Sequence, residues 1–95
     1  MIIVVTGPVW EWRGPAPFHF VTVPAEQAEV IHDVATDVTY GWGMIPVNGR
    51  LGDTRFTTSL WPKDGLYVIP LKDAVRRAER VALGDVVSIE LHIDL

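Results

Sequence analysis

The sequence predicts an α+β domain that is mainly β: a small closed or partly open barrel of about six strands, largely antiparallel, with two short helices. Three observations predict this fold. Short β-rich runs recur at hairpin spacing, with glycine, proline and asparagine between them. Segments 24–35 and 72–82 carry apolar residues at helical spacing, and segment 86–95 alternates apolar with polar residues. We expect residues 1–95 to form a single domain.

The first hairpin joins predicted strands 2–12 and 18–23 through the turn 13–17, whose two prolines cannot donate to a β-ladder. Because side chains alternate along a strand, aromatic residues of both strands share one face: Trp10, Trp12, Phe18 and Phe20. The other face of the second strand carries His19, Val21 and Val23. We therefore expect an aromatic cluster on one side of this hairpin.

Each predicted helix follows a strand directly. In helix 24–35, Pro24 takes the first helical position, and the buried stripe consists of Ala28, Ile31, Val34 and Ala35. In helix 72–82 the buried stripe consists of Leu71, Ala74, Val75, Ala78 and Val81. We expect Gly84 to cap the C-terminal end of the second helix.

Short strands and turns are predicted through the rest of the chain. Residues 44–47 form a strand that Pro46 confines to an edge or a bulge, and Asn48-Gly49 is a strong turn signal. The next predicted boundaries are a turn at Gly52-Asp53, a strand over 54–61, a turn over 62–65 and a strand over 66–71. The last strand turns these side chains inward: Val87, Ile89, Leu91, Ile93 and Leu95.

The composition indicates a globular protein and disfavours some functions. Hydrophobic residues make up 48% of the chain and charged residues 21%, which suits one buried core. The chain has no cysteine, which excludes disulfides and thiolate metal sites. A net charge of -4 disfavours a nucleic-acid partner, because phosphates attract clustered cations. The apolar run 2–5 is too short to span a membrane, so we expect no membrane partner and a cytoplasmic location.

Five segments resemble one known family: FHFVTVP, YGWGMIPV, GDTRFTTSLWPKDG, YVIPLKDAVRRAE and GDVVSIEL. From Phe18 to the C-terminus the chain is similar to the bacterial family called domain of unknown function 1905. This resemblance implies a small closed β-barrel with two short helices and no established activity. In the family that the chain resembles, the barrel occurs either alone or on the N-terminal side of a second domain, which is linked to bacteriocin protection. We expect no such second domain in these 95 residues.

The strand 54–61 carries the first candidate site. One face presents Arg55, Thr57, Ser59 and Trp61. Phe56 and Leu60 mark the opposite face as the core side. A guanidinium beside two hydroxyls can hold a carboxylate or phosphate through charge-assisted hydrogen bonds. A purely structural role stays open, because threonine is common in strands.

Three further features are weighed as sites. Half of the eight basic residues lie on the second helix and form either an anion-facing or partner-facing surface or a solvated face: Lys72, Arg76, Arg77 and Arg80. Trp42, between two glycines, either packs in the core or lies over a barrel mouth, where it would form the apolar wall of a ligand pocket. The triplet Glu90, His92 and Asp94 has metal-binding residue types, but no second histidine lies at a useful spacing. We expect this triplet to face solvent, with no metal and no cofactor.

Three functional hypotheses remain, and we favour the first. It is a non-enzymatic binding or interaction module for a small anionic ligand or a protein partner, with a homodimer expected if edge strand 44–47 needs cover. The second is a DNA-binding regulator of antitoxin type, suggested by the order of helix, Gly84-Asp85 and final strand. The third is a small hydrolase or transferase that would use Arg55, Ser59 and either Asp53 or Asp64. This third hypothesis is weakened because Ser59 lacks the sharp turn that suits a nucleophilic serine.

Overall fold

The computed structural model of the protein describes residues 1–15, 18–35 and 43–94. Its helices and strands are, in chain order, β1 (Ile2–Trp12), β2 (Phe18–Val23), α1 (Ala25–Val34), β3 (Ile45–Leu51), β4 (Thr54–Lys63), β5 (Leu66–Leu71), α2 (Asp73–Ala78) and β6 (Val86–His92). The strands close into a barrel in the order β1-β2-β5-β4-β3-β6, and each neighbouring pair is antiparallel. The predicted fold, a mainly β barrel with two short helices, is confirmed.

Alternate side chains of each strand fill the barrel, as the period of two predicts. In β6 the buried side chains are Val87, Ile89 and Leu91, and Ile93 continues the same face just after the strand. Leu60 of β4 and Ile31 of α1 are fully buried in the same core. The inward face predicted for the last strand is therefore confirmed, although Leu95 lies outside the described residues.

An aromatic cluster lies on the outside of the barrel. The β1–β2 register sets Trp10 against Phe20 and Trp12 against Phe18. The ring centroids of Trp10 and Phe20 are 5.1 Å apart, and the ring of Trp61 in β4 lies 5.2 Å from those of both Phe18 and Phe20. Phe20 is only 2% exposed although it points away from the core. The predicted aromatic face is confirmed, and we call Trp10, Phe18, Phe20 and Trp61 the outer aromatic cluster.

The turn predicted at Asn48-Gly49 is wrong. Strand β3 continues through both residues, which pair with β4, and the chain reverses instead at Gly52, whose φ is 60°. Gly49 is needed for a different reason: a Cβ on it would lie 2.6 Å from the ring of Phe56, which occupies the space of the missing side chain. Pro46 lies in the part of β3 that pairs with β4 alone, which suits a residue without an N–H.

Helix α2 ends at Ala78 rather than at residue 82, and Gly84 does not cap it. Arg80 adopts a left-handed backbone conformation with φ of 54°. The N–H groups of Arg80 and Val81 donate to carbonyls of the last helical turn, in the hydrogen-bond pattern of a Schellman motif. The helix therefore closes on an arginine at the position where glycine is usual.

Part of each predicted helix stripe is also wrong. Val34 is 42% exposed, and Ala74 and Ala78 are exposed as well, because each short helix contacts the barrel through a narrower stripe that includes Val75 in α2. Pro24 stands one position before α1 rather than inside it. Within the described ranges, neither helix, of ten and six residues, has the length and apolar character needed to cross a membrane.

Candidate functional site

Strands β6, β3 and β4 present a polar outer face. The register sets Arg50 between Glu90 and Arg55, which makes one row of side chains across the three strands. The neighbouring row consists of His92, Asn48 and Thr57. Directly opposite Cβ atoms in antiparallel strands lie about 5 Å apart, so the side chains of a row are neighbours. With Gly49 and Phe56, these six residues line a groove of about 510 Å³, which we call the arginine groove.

Glu90 is the anion of the arginine groove, and it is held from two sides. Its Oε1 lies 2.6 Å from Nε2 of His92, and its Oε2 accepts a hydrogen bond from Nη2 of Arg50 at 3.1 Å. The hydrogen bond from His92 and the nearby charge of Arg50 together hold the pKa of Glu90 below its usual value. Glu90 is therefore ionised at neutral pH and compensates the charge of Arg50.

Arg55 has no such compensation. It lies directly opposite Arg50 and is exposed, and within residues 1–15, 18–35 and 43–94 its guanidinium makes no hydrogen bond or ion pair. Like charges directly opposite each other on neighbouring strands are destabilising. Two guanidinium groups therefore share the groove with one carboxylate, and the second positive charge is available to a ligand.

The second row supplies neutral hydrogen-bonding groups. The side chains of Asn48 and Thr57 make no hydrogen bond to another residue of the described ranges. An amide and a hydroxyl can each donate to an anion's oxygen. The arginine groove thus combines one uncompensated cation with two neutral donors, on strands that fix their spacing.

The structure divides the predicted β4 site between two places. Arg55 and Thr57 line the arginine groove, whereas Ser59 lies half-buried opposite Pro46 and outside it. Trp61 belongs to the outer aromatic cluster. Trp42 lies outside the described residues, so neither of its two predicted positions, in the core or over a barrel mouth, is tested.

Sequence reasoning missed half of the arginine groove. The sequence predicts a turn at Asn48, indicates no role for Arg50, and places Glu90 and His92 in a triplet that faces solvent. The available signal was alternation: Glu90 and His92 face outward on β6, as Arg50 does on β3. Bringing the strands together required the β3–β6 register, which joins residues about forty positions apart in sequence.

The groups of the hydrolase or transferase hypothesis are spread along β4. Asp53 precedes the strand and Asp64 follows it, so they lie at opposite ends of a ten-residue strand. At about 3.3 Å per residue, the backbone of Ser59 lies roughly 20 Å from that of Asp53 and roughly 16 Å from that of Asp64. A general base must approach its nucleophile to about 3 Å, so neither carboxylate serves Ser59 in this arrangement.

The predicted basic surface on α2 is not one uniform cationic face. Arg76 turns back on its own element, where it pairs with Asp73 and donates to the carbonyl of Leu71. Arg77 is exposed, and Arg80 belongs to the left-handed end of the helix. Lys72 stands just before the helix and makes no ion pair within the described part of the chain.

The expected solvent-facing triplet at the end of β6 is only partly assembled. Glu90 and His92 bond to each other, while Asp94 lies beyond the end of the strand. Across the described residues, no group of three or more histidine, cysteine, aspartate or glutamate side chains could hold a metal ion. The two groups that do meet belong to the arginine groove.

The chain matches the model of a known protein family. Residues 6–91, nearly the whole chain, match the model of the family described as Domain of unknown function (DUF1905). This match agrees with the resemblance noted from the five sequence segments. No curated protein matches the chain.

Proposed function

The chain belongs to the DUF1905 family, and we propose that it is a non-enzymatic binding module whose arginine groove holds a small oxyanion. The observation that carries this proposal is the pair of arginines that stand opposite each other in the β3–β4 register and line one groove. Of the two, Arg55 has no hydrogen-bond or ion-pair partner among the described residues. The ligand class is a phosphate or carboxylate group, because guanidinium groups bind both with paired, charge-assisted hydrogen bonds.

The charge arrangement supports an anion rather than a neutral ligand. Arg55 stands opposite Arg50, and like charges directly opposite each other on neighbouring strands cost free energy. An anion between the two guanidinium groups would turn this repulsion into two attractive contacts. The groove is thus favourable for a ligand of negative charge and unfavourable for a cation.

The spacing of the rows limits the size of the anionic group. Neighbouring outward residues on one strand lie about 7 Å apart, so Arg55 and Thr57 reach one compact group from adjacent rows. Asn48 faces Thr57 across the strands and adds an amide at the same level. A groove of about 510 Å³ lies within the range of small-molecule sites, so the oxyanion can carry a small organic body.

Glu90 has a regulating role in this proposal. Its carboxylate already occupies Arg50 and His92, so an incoming anion must bind chiefly to Arg55 or displace Glu90 from Arg50. Internal competition of this kind weakens the binding of any anion and favours ligands with several acceptor oxygens. We therefore expect replacement of Glu90 by glutamine to tighten oxyanion binding.

The test is a thermal-shift titration with phosphate and, separately, acetate, against sodium chloride at matched ionic strength. We expect one of the two oxyanions to raise the unfolding midpoint more than chloride does, because it binds only the folded state. Which anion does so distinguishes a phosphate ligand from a carboxylate ligand. Equal midpoints in all three salts would contradict the proposal.

Two matched variants locate the effect. Arg55→Met removes the uncompensated guanidinium and should weaken oxyanion binding about tenfold, or ~1.4 kcal/mol. Arg77→Met removes the same charge from the exposed surface of α2 and should leave binding unchanged. Equal losses in the two variants would show that net charge, and not the arginine groove, attracts the anion.

A further inference from the structure

A second cleft opens where strands β4 and β5 separate. They pair at only three positions next to their hairpin, and Trp61 with Val68 is the last pair before they diverge. Helix α2 covers part of the opening and buries Val75. Glu79, directly after the helix, accepts a hydrogen bond from Oγ1 of Thr54 at 2.6 Å. The remainder is a cleft of about 500 Å³, which we call the aromatic cleft; its walls include Phe18, Thr58, Trp61, Pro70, Lys72 and Arg76.

Two rings form a corner of the aromatic cleft. Phe18 and Trp61 meet edge to face, with centroids 5.2 Å apart and planes inclined by 67°. Trp61 also packs against Phe20, with ring centroids 5.2 Å apart. Phe18 is 39% exposed, so part of the Phe18 ring is accessible to a ligand. A planar ring entering this corner would face one aromatic side chain and meet the edge of the other, which are the favoured geometries for aromatic pairs.

The charge at the rim of the aromatic cleft selects the sign of the ligand. Arg76 is compensated by Asp73, whereas the ammonium group of Lys72 has no ion-pair partner among the described residues. An aromatic corner alone would also attract cations. The uncompensated positive charge of Lys72 disfavours a cation and favours an anion.

We propose that the aromatic cleft binds a small aromatic carboxylate, with its ring in the corner of Phe18 and Trp61 and its carboxylate on the ammonium of Lys72. This site does not depend on the arginine groove, because the two share no lining residue. The cleft volume of about 500 Å³ is sufficient for a ring with a short acidic substituent.

Nuclear magnetic resonance of the indole N–H groups tests this proposal with benzoate as the probe. The chain has four tryptophans, so we expect four indole signals, and the signal lost in Trp61→Phe identifies Trp61. We expect benzoate to shift the Trp61 indole signal in a saturable manner. Benzamide, which keeps the ring without the charge, and acetate, which keeps the charge without the ring, should each bind at least about fivefold more weakly.

Matched lysine variants separate a specific contact from general attraction. Lys72→Met should weaken benzoate binding about fivefold, because it removes the exposed ion pair between the Lys72 ammonium and the benzoate carboxylate, and exposed ion pairs contribute about this much. Lys63→Met is the control, because Lys63 lies on the far side of Trp61 and is paired with Asp64 at 3.6 Å. The Lys63 variant should bind benzoate as the wild type does.

Three results would overturn the inference. One is an unchanged Trp61 indole signal at saturating benzoate, and another is equal benzoate affinity of Lys72→Met and the wild type. The third is loss of benzoate binding in Arg55→Met, which would assign the carboxylate to the arginine groove. Failure of phosphate or acetate to bind the arginine groove would leave the expected benzoate results unchanged, so the two proposals fail separately.

Discussion

Replacing Arg55 by glutamine should stabilise the folded protein while it impairs anion binding. The side chain lies directly opposite Arg50 across the β3–β4 ladder and has no compensating partner among the described residues. Residues involved in binding often reduce the stability of the fold that carries them. The substitution keeps side-chain length and polarity but removes one of the two facing positive charges.

The expected size of the gain follows from the facing geometry. Measured interactions of directly opposite cross-strand pairs fall between about 0.2 and 1 kcal/mol, which agrees with the Coulomb energy of unit charges several ångströms apart in water. Glu90 already attracts Arg50, which lowers the net repulsion. We therefore expect Arg55→Gln to raise the free energy of unfolding by about 0.5 kcal/mol at low ionic strength, which for a domain of this size corresponds to roughly 2–4 °C.

Urea unfolding measures this difference, provided that the m-value is unchanged. At about 1 M salt the Debye length falls to about 3 Å, so the gain should largely disappear. In the presence of the oxyanion that binds, the wild type should become the more stable of the two proteins, because it binds the anion more tightly and gains more free energy from it. The control is Arg77→Gln, which removes a charge near the C-terminal end of α2 and should slightly destabilise the protein. A loss of stability for Arg55→Gln at every salt and anion concentration would refute the reasoning.

Three other predictions concern the backbone and Glu90. Arg80→Gly should raise the free energy of unfolding, measured by urea unfolding, by about 1 kcal/mol, because Arg80 has a φ of 54° that glycine adopts without strain. Arg77→Gly inside the helix is the control and should lower the free energy of unfolding by about 1 kcal/mol. Gly49→Ala should cost about 1–3 kcal/mol in the same assay, since its Cβ would lie 2.6 Å from an aromatic ring, while Gly7→Ala, with its nearest contact at 3.7 Å, should be tolerated. The lowered pKa of Glu90 stabilises the fold above the unfolded-state pKa, and this contribution is lost as pH falls through the lower folded-state value. Urea unfolding of Glu90→Gln across the acid range should therefore show a smaller loss of stability below about pH 4.5 than the wild type shows.

Alternation and turn chemistry were enough to predict most of the barrel. The inward set Val87, Ile89 and Leu91 and the facing of Trp10 with Phe20 both follow from the period of two. Alternation of inward and outward side chains is a property of a single strand, and it does not depend on which strands lie next to it. This is why the fold class could be predicted although the strand order could not.

The wrong predictions share a physical cause, which is tertiary contact that overrides a local signal. Asn48-Gly49 has the sequence of a tight turn, but pairing with β4 and the Phe56 ring keeps it extended. Among the described residues, β3 continues to Leu51 and pairs with both β4 and β6 from Asn48 onward, whereas its residues 45–47 pair with β4 and not with β6. The homodimer expected to cover edge strand 44–47 stays a prediction.

About half of the candidate site can be predicted from the sequence. Arg55 and Thr57 could be placed on one face because they lie on a single strand. Arg50, Glu90 and His92 join them through strands that are distant in sequence, and no periodicity within one strand specifies that register. The charge of Arg55 can be recognised as uncompensated only from the three-dimensional structure, because the β3–β4 and β3–β6 registers determine which side chains are its neighbours.

The central claim, that an oxyanion binds between Arg50 and Arg55, is tested most directly by the side-chain Nε–Hε signals of these two arginines in a phosphate or acetate titration. We predict that the oxyanion which binds shifts both signals with one common dissociation constant, while the Arg77 signal stays in place. Uniform small shifts of all arginine signals, following ionic strength alone, would contradict the claim.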